Sequence, residues 1–315
     1  MREIDNHILH TRNKLLSLPR ADPSRFTYLT TLAEARLVRY GRTYENEDLE
    51  DSISRSVEAI LSLDPHIGHN SDVVTAFFHL ANSLVRRSQK LKQLDDSKHC
   101  VRYFRYLRDQ SLETSRITRD RITTAFTYAL ANQVQMGSID PTRNIEEMAI
   151  LCRELLSLDA PDKVLLNAAK TMAKAIQNEP FSFGRPPPDQ AIECLREANI
   201  RFPDLETVSL ELIMSLLQRF VVTHSHADYE DAMSIADRPF TYPGFVQVAS
   251  YMAVEFALSR FYFYGNPEYL EEAIFRIHTC LGTMSSEDPE RQEMTWFLES
   301  LEKARFNELS TPSNL

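Results

Sequence analysis

Apolar positions recur along this chain with a helical period. Ile53, Val57, Ile60 and Leu61 are spaced four, three and one apart, and Phe245, Val248, Ala249, Met252 and Phe256 keep to one helix face in the same way. Asp22-Pro23, Asp140-Pro141, Asn266-Pro267 and Asp288-Pro289 each set a capping side chain before a proline, which opens a helix without losing a needed donor. These signals predict helix pairs at about 25–41 with 48–63, 72–93 with 96–112, 119–136 with 142–157, 162–178 with 188–201, 204–223 with 227–237, and 245–264 with 268–282. An opening helix at about 3–17 reads as the second half of a missing pair, and a last helix covers about 288–309. Val221-Val222-Thr223 and Phe261-Tyr262-Phe263-Tyr264 are β-like in propensity but fall where helices close, so they read as helical ends or linkers.

The pairs also repeat. Arg39-Tyr40 precedes Leu49-Glu50-Asp51-Ser52, Arg219-Phe220 precedes Tyr229-Glu230-Asp231-Ala232, and Arg260-Phe261 precedes Leu270-Glu271-Glu272-Ala273. In each copy the Arg and the second acidic residue are twelve positions apart, and the last two copies lie 41 residues apart, inside the range of solenoid repeats. A cation suits the C-terminal end of one helix dipole, and an acidic pair suits the N-terminal end of the next. Ser52, Ala232 and Ala273 are small, which lets neighbouring backbones approach. Leu32-Ala33-Glu34, Leu80-Ala81-Asn82 and Leu130-Ala131-Asn132 share a register on the first helices. Asp95-Asp96-Ser97, Glu146-Glu147-Met148 and Asp189-Gln190-Ala191 open second helices in the middle, where the Arg-aromatic signature is lost. The expectation is an all-α chain, a right-handed α-α solenoid of about six helix pairs plus terminal helices. Its units span about 25–65, 72–113, 119–158, 162–202, 204–238 and 245–282 in a single array over 1–309, with a tail at 310–315.

Composition narrows the picture. Only seven glycines stand among 315 residues, too few for the turns of most nucleotide-binding α/β folds or β-barrels. The net charge of −10 argues against nucleic acid as a main partner. The basic runs Arg102, Arg105, Arg108 and Arg116, Arg119, Arg121 read as solvated helix faces. Cys100, Cys152, Cys194 and Cys280 form no C-x-x-C pair and read as buried small apolar residues of a reducing, cytoplasmic compartment. The polar stretch from Met1 to His10 does not read as a signal peptide, and no apolar run reaches the length that spans a bilayer.

The residues Arg25-Phe26, Leu32-Ala33, Arg39-Tyr40, Asp48-Leu49-Glu50-Asp51-Ser52-Ile53 and Leu61-Ser62-Leu63-Asp64-Pro65 resemble the long tetratricopeptide-like repeats of fungal multi-repeat proteins. In those arrays a Leu-Ala helix ends in Arg-aromatic, and an acidic stretch leads into a second helix that ends near Pro. Members often carry a caspase-like CHAT domain beyond the array, sometimes with a switch ATPase domain. The resemblance covers nearly the whole chain, strongly at 25–65 and 204–282. It implies a protein-binding or autoinhibitory array. Both ends read as cut from a longer array, and the protease association is not carried over, since helices fill the chain.

Candidate chemistry is sparse. His66-Ile67-Gly68-His69 spells the signature of class I aminoacyl-tRNA synthetases, but it follows Asp64-Pro65 without a strand or a lysine loop and reads as a linker. His224, His226 and Asp228 lack metal-ligand spacing, Cys100 beside His99 points away from it on a helix, and Arg185-Pro186-Pro187-Pro188 reads as a linker before a helix rather than a polyproline ligand. Asn82 and Asn132 share a register on successive first helices, with Arg86 one turn past Asn82 and Gln135 near Asn132. Such amides hold an extended peptide backbone by donor and acceptor together. The reading is a non-enzymatic scaffold that binds a protein or peptide segment in a concave groove, through Asn82, Arg86, Asn132 and Gln135 and through exposed aromatics such as Tyr40 or Phe78. No metal, cofactor, nucleic acid or membrane is expected as partner. The other reading is a regulatory segment of a larger CHAT-type protease or switch ATPase, and an enzyme in its own right would need convergent acid and base groups in a closed cleft.

Overall fold

The computed structural model describes residues 2–20, 22–62, 70–110, 116–137, 140–157, 162–178, 187–241 and 243–310, and every regular element among them is an α-helix. In chain order these are α1 (Arg2–Ser17), α2 (Ser24–Thr43), α3 (Asn46–Ser62), α4 (Asn70–Leu91), α5 (Leu94–Gln110), α6 (Arg116–Gln135) and α7 (Pro141–Ser157). There follow α8 (Asp162–Asn178), α9 (Asp189–Arg201), α10 (Glu206–Thr223), α11 (His226–Ala236), α12 (Pro243–Tyr264), α13 (Pro267–Thr283) and α14 (Pro289–Ser310). Each lies within three residues of its expected span at both ends. The caps act as their chemistry dictates. Asp22 accepts from the Ser24 amide at 2.9 Å, Asp140 from that of Arg143 at 3.0 Å, and Asn266 from that of Glu268 at 3.0 Å. The β-like runs are the last turns of α10 and α12, where helical packing overrides local propensity. His66 to His69, Arg185-Pro186 and the tail from 311 lie outside the described residues.

The chain forms two compact units, Met1–Glu179 with α1 to α8 and Pro180–Leu315 with α9 to α14. In the first unit each helix packs on its neighbours in sequence, and α2 also meets α4, α4 meets α6, and α6 lies closely along α8. The second helices α3, α5 and α7 show no comparable packing on one another. The unit is therefore layered. First helices touch first helices, while the second-helix layer is bridged by long ion pairs, Arg105 to Glu147 at 2.6 Å and Arg108 to Glu154. These two arginines belong to a run expected to be a solvated face; they instead join α5 to α7. In the second unit α10 packs on α12, Arg276 of α13 reaches Asp237 at the end of α11, and Arg196 of α9 reaches Asp231 of α11 at 2.5 Å.

Leu29, Leu32, Ala59 and Ala76 belong to one apolar cluster of the first unit, and Val254, Ala273, Ile277 and Leu298 to one of the second. The small-residue column is buried: Ser52, Ala232 and Ala273 are all fully enclosed. Ser52 Oγ lies 2.8 Å from the Ala33 carbonyl and 2.9 Å from Ser83 Oγ, a contact that a larger side chain would prevent.

The Arg-to-acid signature is real, but its main partner stands at nine positions rather than twelve. Arg39 clamps Asp48 through Nε and Nη2 at 2.7 and 2.6 Å, Arg87 clamps Asp96 at 2.7 and 2.8 Å, and Arg219 holds Asp228 at 2.8 Å through Nε. In each, a first helix is tied to the start of its own second helix. The same Arg reaches back to an acid on the preceding helix: Arg39 to Asp5, Arg87 to Glu50, Arg219 to Asp189. Asp5 on α1 occupies the role of Glu50 on α3, in keeping with the opening helix as a second helix. In the third copy the ninth position is Tyr269, and the Arg260 guanidinium lies 3.9 Å from the Tyr269 ring centre and 4.2 Å from that of Tyr229. Only there does the acid at twelve, Glu272, contact the Arg directly, at 3.5 Å. The pair at 87 and 96 also shows that the middle of the chain keeps the clamp after losing the aromatic, since Ser88 stands where Tyr40 does.

Candidate functional site

A groove of about 900 Å³ lies on the first-helix layer of the Met1–Glu179 unit, with walls from α4 and α8 and a floor from α6. Direct packing of α8 on α6 closes one side, and apolar and polar side chains of the three helices line it together. Phe78 of α4 faces Arg121 of α6, whose guanidinium sits 5.4 Å from the ring centre. Further along, Gln89 Nε2 donates to the Tyr128 hydroxyl at 2.7 Å, and Asn132 Nδ2 donates to Ser88 Oγ at 2.7 Å. These cross-contacts run in the same direction, so α4 and α6 are parallel.

The groove is charged against the trend of the chain. Arg86, Arg121, Lys170 and Lys174 line it, and the acid among its lining residues is Asp120. Arg86, Arg121 and Lys170 engage in no ion pair among the described residues, whereas the arginines of the clamps above are all paired with carboxylates. Asp120 is 7% exposed, and its Oδ1 is buried without a hydrogen-bond partner. A lone buried acceptor of that kind raises the energy of the empty groove by about 1–3 kcal/mol, so it calls for a donor. Beside the groove, burial holds the His79 imidazole below its ordinary range; Glu34, 3.9 Å away, pulls it up and Arg121 pushes it down.

Three of the four sequence-chosen residues, Arg86, Asn132 and Gln135, line this groove. Asn82 lies outside it, and its amide donates to the Phe78 carbonyl of its own helix at 2.8 Å. Asn132 is only 3% exposed, and its donor is taken by Ser88, so it braces α6 against α4. The shared register of the two asparagines thus does not give them one role. Tyr40, expected to be exposed, is 4% exposed: it packs edge-on against Tyr44 beneath the Lys90 ammonium, because a Leu-Ala helix face ends on it. Phe78 is half-buried and does line the groove. Asp120, Lys170 and Lys174 were not singled out by sequence, and Arg121 was read as solvated. Their common signal is polar residues on first helices at groove-facing turns, legible only once α8 is known to lie on α6.

The other candidates are accounted for by packing. The Asp228 carboxylate is held by Arg219 and Arg196, the His224 ring lies 3.7 Å from that of Phe263, and His226 faces Glu230. Cys100 is enclosed, its Sγ 3.0 Å from the Ser97 carbonyl, and burial pushes its thiol up to about 12. Pro188 stands at the N-cap of α9. No helix among the described residues is long and apolar enough to cross a membrane. No protein-family model matches the chain, and no curated protein sequence matches it.

Proposed function

We propose that the chain is a non-enzymatic, protein-binding scaffold, a right-handed solenoid of tetratricopeptide type whose first-helix groove takes an extended segment of a partner protein. The observation that carries this reading is the groove itself: it is long and open, its mainly apolar lining carries scattered polar and charged groups, and it is built on the faces of three successive first helices. Solenoid units bury their faces on one another and leave such an inner surface free for a linear partner. Its floor runs from Asp120 to Gln135, fifteen residues of helix. At about 1.5 Å per residue that is roughly 22 Å, the length of six or seven extended residues. Side-chain amides and hydroxyls along it, among them Gln135, Asn167 and Thr171, match the alternating donors and acceptors of a peptide backbone.

Selection from a random, N-acetylated octapeptide library with the full chain tests the reading. Ala125 is half-buried in the groove, so Ala125→Trp obstructs it. The wild-type chain is expected to retain a peptide set that the Ala125→Trp protein, with unchanged helicity, does not. A retained set that is indifferent to Ala125→Trp refutes the groove as the binding surface.

A further inference from the structure

We infer that the segment this groove takes is acidic, carrying aspartate or glutamate side chains on one alternating face, with a backbone N–H donated to Asp120. The inference rests on the groove being a peptide site and names its ligand's chemistry. Two independent features point to it. The first is charge. The chain has 45 acidic and 35 basic residues, and the clamp arginines are paired with carboxylates. Arg86, Arg121 and Lys170 find none, although they stand together on three helices around one groove. The second is Asp120. A buried acceptor without a donor at one end of a cationic groove has no use for a ligand made only of acceptors. It matches a ligand that brings N–H groups along with its negative charges, which is what an acidic peptide is.

Spacing fits two carboxylates on one extended strand. Arg121 stands level with Phe78 on the parallel helix α4, and Arg86 lies eight residues beyond Phe78. At about 1.5 Å per residue the two guanidinium-bearing positions are roughly 12 Å apart along the groove. Side chains four apart on an extended strand, at about 3.4 Å per residue, lie roughly 14 Å apart on the same face, close to that spacing. Lys170 and Lys174, one turn apart on α8, face the strand from the other wall. The distance also exceeds the Debye length of about 8 Å at physiological salt, so each cation meets its own carboxylate, and the chain's net charge of −10 is screened from the site.

The same octapeptide selection, run with phosphoserine among the building blocks, reads the chemistry. The retained peptides are expected to carry Asp or Glu two and four positions apart. Titration calorimetry of the best of them should show at least tenfold weaker binding to Arg121→Glu with Lys170→Glu, and retained binding to Arg121→Lys with Lys170→Arg. Asp120→Ala gives a test of opposite sign. Removing a negative charge would by itself tighten an acidic ligand, so a loss of about fivefold or more identifies Asp120 as the acceptor of a ligand donor. Neutral, basic or phosphoserine-dependent peptides, a charge reversal that changes affinity less than twofold, or tighter binding to Asp120→Ala each overturn the inference. In all of these the block by Ala125→Trp persists, and the scaffold reading stands apart from the ligand's chemistry. Loss of that block is the result that removes the scaffold reading.

Discussion

Replacing Asp48 by Ala removes the carboxylate on which the start of α3 is tied to α2. Asp48 is fully buried and accepts from Arg36 Nη1 at 2.7 Å, Arg39 Nη2 at 2.6 Å and Arg39 Nε at 2.7 Å. Deleting one member of a buried ion pair costs about 3–5 kcal/mol, because the charge left behind is uncompensated. Here the low end applies: Arg36 keeps Asp51 at 2.8 Å, Arg39 keeps Asp5 at 3.0 Å, and the two arginine side chains are 11% and 20% exposed. The expected loss is therefore about 3 kcal/mol. The unit Met1–Glu179 has the size at which about 1 kcal/mol shifts a melting point by 2–4 °C, so its transition should fall by roughly 6–12 °C. Circular dichroism follows both units, while the only tryptophan, Trp296, stands in the other one and reports it by fluorescence. The dichroism transition should move and the fluorescence transition should not. A shift under 2 °C, or an equal shift by both probes, refutes the reasoning. The pair also sets a pH window. Burial alone would raise the Asp48 carboxyl, but the bonds from Arg39 and Arg36 outweigh it and hold the group below its ordinary value. Its contribution is therefore complete at neutral pH and is lost only as pH falls through that depressed value, below about 3.9.

Two further outcomes follow from groups at the groove. Asn132→Ala should lower stability by about 1–2 kcal/mol with no ligand present, because it removes a buried hydrogen bond to Ser88, whereas Asn82→Ala should change it by less than about 0.5 kcal/mol; urea unfolding of the two variants compares them, and equal effects would contradict the assignment of Asn132 to packing. The His79 imidazole is held below its ordinary value in the folded chain, so the unfolded chain binds more protons just below about pH 6.5. Stability should therefore fall as pH drops from 7.5 to 5.5, and His79→Leu should flatten that slope; an unchanged slope shows that His79 is not its source.

The helices were legible because the 3.6-residue apolar period runs through them and, at four starts, an Asp or Asn stands before Pro, with a side-chain cap at Asp140 and Asn266. The clamp was half legible. All three strong copies share an acid at twelve positions, but only two share one at nine, since Tyr269 replaces the carboxylate by an aromatic face. A pattern common to all copies thus pointed to the exposed acid and passed over the buried one. The candidate site was legible in place more than in residues. Register correctly sent attention to the first helices, yet it paired Asn82 with Asn132, and their surroundings differ. Ser88 takes the place of the bulky Tyr40, and the space it leaves is filled by Asn132. Lys170 and Asp120 were invisible because their meeting depends on α8 lying along α6, a packing choice that no period along the chain encodes.

The two layers use the same kinds of residue under opposite rules, and this difference gives the groove its meaning. Between the second helices there is little direct packing, and arginines that reach across the gap end on carboxylates: Arg105 on Glu147, Arg196 on Asp231, Arg276 on Asp237. Those pairs are partly exposed and each contributes no more than about 1 kcal/mol, but they need no external partner. On the first-helix layer close packing already holds α6 to α8, so cations there are not required to join helices. Arg86, Arg121 and Lys170 stand there without carboxylates, and Arg121 disfavours the charged form of His79. Cations left without carboxylates on this face, while the arginines that bridge the other layer are paired, are neutralised when negative charge enters the groove. A carboxylate beside Arg121 would also lessen its push on His79, so binding should draw a proton toward that imidazole and strengthen as pH falls toward 6. Calorimetric titration of an acidic peptide in two buffers of different ionisation enthalpy measures that proton uptake directly, and its absence in the presence of binding would place the ligand's charge away from Arg121.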